Sequence, residues 1–151
     1  MTAMTSTSAD PRTDQADLEA KVAALAASEA ARTLIHDYAL ACDEHDVDAV
    51  VALFEPDAEL WAGPRHLRGR DEIRDFYAGA FDRPRRHIVG VAAVVPDGAS
   101  GLTAHASFVA IETAAGGTGL TWGSYSDRIV VSGDRARFAS RRITIDGSTT
   151  P

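Results

Sequence analysis

Cysteine occurs once in the 151 residues, at Cys42, which excludes an internal disulfide and matches a reducing, cytoplasmic compartment. No apolar run approaches the ~18 residues of a membrane-spanning helix. No basic segment followed by an apolar one marks a secretory signal. Positive charge is also short: 15 Lys and Arg stand against 22 Asp and Glu, a net charge of −7. The arginines are scattered rather than striped, which argues against nucleic acid as partner. The five histidines (36, 45, 66, 87 and 105) have no HExxH or other close ligand spacing, so nothing in the sequence calls for a metal or cofactor. The glycine-rich "DGASG" and "AAGGTG" lack the strand-to-helix setting of a phosphate cradle and read as hairpin turns.

What remains is an ordinary globular composition, 45% hydrophobic and 25% charged. Residues 1–15, "MTAMTSTSADPRTDQ", are polar and aperiodic and are expected to be a disordered tail. Residues 16–147 make one domain, with 148–151 as a second tail.

From about Ala16 to Asp43 the apolar residues Leu18, Val22, Leu25, Ala30, Leu34, Ile35, Tyr38 and Cys42 keep three- and four-residue steps. That predicts one amphipathic helix, kinked or preceded by a short separate one. Asp46 can cap a short second helix, "VDAVVALF", which Pro56 stops. "AELWAG" reads as a strand and "GPRHLRG" as a loop, and a third helix, "DEIRDFYAGAF", ends before Pro84. Two hairpins follow, the first built from "RHIVGVAAVV" and "LTAHASFVAIET", the second from "LTWGSYSDRIVV" and "RARFASRRITI". The fold class is therefore α+β, three helices on a curved, mostly antiparallel sheet. "HIVGVAAVV" is apolar at both parities, so both faces of the sheet need cover. A homodimer through the outer sheet face is expected, broken by charge at an outward position such as Val94, if its parity is the outer one.

One stretch raises a question of chemistry. "HDYALACDEHDVDAVVALF" carries Tyr38 on the helix and closes on Asp43. On an ideal helix the two are about 140° apart, so both reach one cavity only if the helix ends near Asp43.

"YALACDEHDVDAVVALFEPDAEL", "LRGRDEIRDFYAGAF", "RHIVGV" and "GSYSDRIVVSGDRARFASRRITID", in that order, resemble the NTF2-like superfamily and its SnoaL-like group. The resemblance implies a cone, with the sheet curled round the long helix and an apolar cavity inside. Such folds host lyases, isomerases, cyclases and plain binders, so the fold does not name the reaction. Lyases of the superfamily, scytalone dehydratase and hexachlorocyclohexane dehydrochlorinase among them, share an Asp–His pair whose positions Asp43 and His87 match. A carboxylate holding one imidazole nitrogen leaves the other as a base near neutral pH.

The resemblance to ketosteroid isomerase places Tyr38 and Asp127 at its two oxyanion donors but puts Ala62 where its base would stand, which argues against that mechanism. By the same likenesses Tyr125 is a substrate contact, and Arg141 matches a frequent arginine of the last strand, where an ion pair is the common role. Trp61 is expected at the cavity mouth or packed. His105 is a further candidate whose facing depends on the register across "PDGASG". Cys42 has no triad around it and reads as core. The reading that results is a cofactor-independent, dehydratase-type lyase for an apolar cyclic or polyketide-like molecule. A non-catalytic small-molecule binder and an isomerase or cyclase using the same pair remain as alternatives.

Overall fold

Ala31, Leu34, Ile35, Tyr38 and Cys42 form one buried face in the computed structural model, which describes residues 11–98 and 101–149. They belong to α1 (Pro11–Asp43), a single helix of 33 residues. Its first half is exposed, Leu18, Val22 and Leu25 included, and its second half is the axis of the core. Helix formation starts earlier than expected, since Arg12–Gln15 are exposed helical residues. The rest of the expected N-terminal tail, residues 1–10, lies outside the described residues.

The end of α1 is built like a Schellman motif, in which a left-handed residue reverses the chain and the last carbonyls are met from beyond it. His45 takes that role at φ 58°; its N–H donates to Cys42 O, and Asp46 N–H donates to Ala41 O. Asp46 then accepts from Ala49 N–H at 2.9 Å and caps α2 (Val47–Ala52).

β1 (Phe54–Ala62) starts directly after α2 and contains Pro56, with an irregularity in its pairing between Phe54 and Glu59. "GPRHLRG" is not wholly loop: Arg65–Arg68 form β2, antiparallel to β1. α3 (Gly69–Ala80) buries Ile73 and Tyr77, one helical turn apart.

The expected strand "RHIVGVAAVV" is two strands, β3 (Arg85–Val89) and β4 (Ala93–Asp97). Both pair antiparallel with β5 (Gly101–Ala114), β3 at its far half and β4 at its near half. The expected turn before β5 contains residues 99 and 100, outside the described residues. β6 (Gly117–Ser132) and β7 (Arg135–Thr149) complete a seven-stranded sheet in the order β2-β1-β7-β6-β5-β3, with β4 also on β5. Among the described residues only the β1–β7 contact is parallel. Ser148 and Thr149, expected as tail, belong to β7 and pair with Thr121 and Leu120. Residues 150 and 151 lie outside the described residues.

Register shifts at Trp122/Gly123 and Arg128/Ile129 bend β6 and β7 around α1. Gly123 is needed at the first, because a Cβ there would meet Thr144 O at 1.9 Å. The outward parity is also settled: Ile88, Val91 and Val95 are exposed, while Val94 is half-buried against the core. Val94 is therefore not an outward position. Among the described residues no helix is long and apolar enough to cross a membrane.

Candidate active site

Because α1 ends at Asp43, that side chain leaves the helix at the start of β3. Asp43 Oδ1 lies 2.6 Å from His87 Nδ1, and the backbone N–H of His87 donates to both carboxylate oxygens at 3.0 Å. The two side chains are 11% and 8% exposed. A carboxylate can only accept, so Nδ1 carries the imidazole proton and the neutral ring keeps its lone pair on Nε2. Arg86, the residue before His87 in β3, donates to the backbone carbonyl of Asp43 at 3.0 Å and ties the helix end to the strand.

His87 lines a cavity of about 290 Å³ whose walls are mainly aromatic and aliphatic. Burial lowers the imidazole pKa from its ordinary 6.5. The hydrogen bond and charge of Asp43 oppose that, and the charges of Arg85 and Arg141 add to it. The ring is accordingly neutral at pH 7, the form a general base needs.

Tyr38 and Tyr125 line the same cavity. The Tyr38 hydroxyl is bonded to that of Tyr77, 2.5 Å away, and burial raises both phenol pKa values, so each keeps its proton. Their mutual bond uses one of the two O–H groups, and the Cys42 sulfur lies within hydrogen-bond reach of the Tyr38 hydroxyl. Tyr125 stacks on Phe108 at 4.4 Å, and burial likewise keeps its phenol protonated. Cys42 also lines the cavity, but burial pushes its thiol up to about 12, so it is no nucleophile.

Four expected contacts are not in the cavity wall. Asp127 and Arg141 form a closed pair with fully buried side chains: Arg141 Nε and one terminal nitrogen donate to the two Asp127 oxygens at 2.8 and 2.7 Å. The guanidinium lies 4.0 to 4.2 Å from the ring centres of Tyr38, Phe138 and Tyr125. That pair is core, and an ionised Asp127 has no proton to give. Trp61 falls on the outer parity because Leu60 and Ala62 take the inner one; it stacks on His66 at 4.4 Å and against Arg142. His105 faces out for the same reason, between buried Ala104 and Ala106, with Nδ1 3.3 Å from the Ser126 hydroxyl.

Residues not singled out from the sequence are equally prominent. Tyr77 was legible as the residue four after Ile73. Arg85 and Glu112 also line the cavity, joined by an ion pair of 2.8 Å. Arg85 shares the parity of His87 two residues on, and Glu112 that of Phe108 and Ala110. Ala62 lines the cavity too, and no carboxylate stands in its place. Among the described residues no three His, Cys, Asp or Glu side chains converge as metal ligands would.

No curated protein matches the chain in sequence. Solved structures do match in shape. An NTF2-like protein with a cystatin-like fold from Novosphingobium aromaticivorans is 23% identical, covering 87% of this chain and 90% of its own, with a TM-score of 0.77. A candidate scytalone dehydratase from the same organism is 20% identical over 91% and 90%, with a TM-score of 0.72. The type 2 hexachlorocyclohexane dehydrochlorinase LinA is 14% identical over 85% and 91%, with a TM-score of 0.77. At these identities the likenesses establish the fold, the NTF2-like α+β cone. The SnoaL-like domain profile matches residues 23–142, nearly the whole described chain, and the protein belongs to the SnoaL-like domain family.

Proposed function

We propose that the protein is a cofactor-independent lyase of dehydratase type that acts on an apolar cyclic, polyketide-like molecule. The observation that carries this is the Asp43–His87 pair, in which the carboxylate holds Nδ1 and a neutral imidazole borders an apolar cavity. His87 Nε2 takes a proton from a carbon next to a carbonyl, and the C–H electron pair becomes the new C=C bond. The hydroxyl on the next carbon leaves with its bonding pair, takes the proton back from the imidazolium and departs as water. His87 is thus base and then acid, and Asp43 fixes its tautomer and stabilises the charged ring in between. Tyr38 and Tyr125, which line the cavity, position the leaving hydroxyl and the ring that carries it.

The dehydrochlorinase and candidate dehydratase among the structural neighbours agree with an elimination. The test is dehydration of 3-hydroxy-1-tetralone to 1-naphthol, followed by fluorescence. Wild type should accelerate it, and His87→Ala and Asp43→Asn should not. If all three match the uncatalysed rate while tetralone still binds, the binding-protein reading replaces the lyase. If tetralone α-protons exchange with solvent without loss of water, an isomerase or cyclase using the same pair replaces it. The same reading takes the protein as a cytoplasmic homodimer joined through the outer sheet face, where Ile88, Val91 and Val95 are exposed. A monomeric mass by light scattering at micromolar concentration would overturn the dimer.

A further inference from the structure

The cavity contains one fully charged pair that the proton transfer does not use. Arg85 and Glu112 are cross-strand partners on β3 and β5, joined by an ion pair with a terminal Arg85 nitrogen 2.8 Å from Glu112 Oε1. Both side chains line the cavity and are about one-quarter exposed. Strand alternation places Arg85 and His87 on the same face of β3, about 7 Å apart at ~3.3 Å rise per residue. Ala110, the partner of His87 on β5, is small, so the space between the two polar groups stays open for a ring.

A structural role alone accounts poorly for this pair. It is single-pronged, whereas Asp127 grips Arg141 at two nitrogens. Arg85 and Glu112 are each about one-quarter exposed, whereas the Asp127 and Arg141 side chains are wholly buried. At the cavity wall the terminal N–H groups of the Arg85 guanidinium are therefore the donors a ligand can meet, and the carboxylate beside them cancels the charge.

We propose that Arg85 and Glu112 are the specificity device of the cavity: Arg85 binds the oxygen of a neutral ring ketone, and Glu112 excludes ring carboxylates. This rests on the lyase reading, because a ketone oxygen on Arg85 brings its α-carbon alongside His87. Attraction and exclusion are separate: the guanidinium rewards any oxygen acceptor, and the carboxylate beside it repels one that carries a full negative charge. Both groups act on binding, before any proton moves.

The test compares three bicyclic probes by NMR titration: tetralin, 1-tetralone and 1-naphthoate. In wild type 1-tetralone should bind about tenfold or more tighter than tetralin, as expected for a hydrogen bond to a charged group. It should also bind tighter than 1-naphthoate. Arg85→Leu should erase the advantage of the ketone and leave tetralin binding unchanged. Glu112→Gln keeps an acceptor for Arg85 but removes the charge, so 1-naphthoate should become the tighter ligand.

Equal binding of ketone and hydrocarbon by wild type overturns the proposal, as does binding of neither. It also falls if 1-naphthoate binds Glu112→Gln no better than wild type, and this arm does not depend on whether Arg85→Leu folds. Failure of the lyase reading is separate. It appears as tetralone α-protons that do not exchange with deuterium when the ketone is bound, whatever the preference among probes.

Discussion

Two aspartates meet a basic side chain inside this cone, and they do opposite things. Asp127 closes both oxygens onto Arg141, with three aromatic rings around the guanidinium and no exposure of either side chain. Asp43 takes one imidazole nitrogen and leaves the second beside an open cavity. A permanently charged partner gives a lock, because Arg cannot shed its proton and neither ion can be left alone in the core. A partner that titrates near neutrality gives a device for moving protons. The pairs lie close, sharing Tyr38, which lines the cavity on one side and carries the Arg141 guanidinium on the other.

The comparison breaks most sharply on activity. His87→Ala should lower the rate of 1-naphthol formation by about 10²–10⁴-fold, the usual contribution of general acid–base catalysis. Asp43→Asn should fall in the same range by favouring the wrong tautomer, and the double variant should be scarcely worse than His87→Ala because the two act as one unit. Their melting temperatures should stay within a few degrees of wild type. A strictly additive double variant would falsify the coupled role.

Asp127→Ala should do the reverse. It strands a buried guanidinium, so the expected loss is about 3–5 kcal/mol of stability, the range for breaking a buried pair. For a chain of this size that lowers the melting temperature by roughly 10 °C or more. A shift of a degree or two would mean the pair is not the lock described.

Acidity separates the two pairs more gently. The folded His87 holds its proton less tightly than the unfolded chain does, since burial lowers its pKa from 6.5. Between the folded and unfolded values the unfolded state binds more protons, so stability rises with pH there. The contribution is complete above about 6.5 and is lost as pH falls through the lowered value. Activity should follow the same acid limb, with a midpoint below 6.5. Asp43→Asn removes the group that raises the pKa, so by NMR titration the imidazole midpoint should move lower still. An unmoved midpoint would show that the side chains do not interact.

Trp61→Ala and His105→Ala should have the smallest effect. Both residues sit on the outer parity, so kcat/KM for the tetralone substrate should change less than about twofold, within the ±0.5 kcal/mol typical of surface changes. A loss on the scale of His87→Ala would mean that they reach the cavity after all.

Much of this was legible in the chain. The three- and four-residue apolar steps of α1 predict which side of the helix is buried, and Tyr38 and Cys42 follow from the same phase. The pairing of Asp43 with His87, 44 positions apart, came from the resemblance to lyases of the superfamily rather than from the residues themselves, and the two side chains lie 2.6 Å apart. Trp61 and His105 face away from the cavity, while Asp127 and Arg141 face inward and are taken up by each other. Alternation along a strand says which residues face the same way, but not which way that is.

Near neighbours and the 3.6- and 2-residue periods dictate the α+β class and the local phase of the helices and long strands, but not β2 or the break between β3 and β4. Only the tertiary structure decided which charges face inward and with whom. The shifted pairings in β1, β6 and β7 and the division of the β3–β4 segment set the register. Register in turn sets Asp127 opposite Arg141 and Arg85 opposite Glu112. A slip of one residue would turn each of those side chains to the other face of the sheet. Facing is decided by how the whole sheet closes round α1, a long-range outcome that no short stretch of the chain contains.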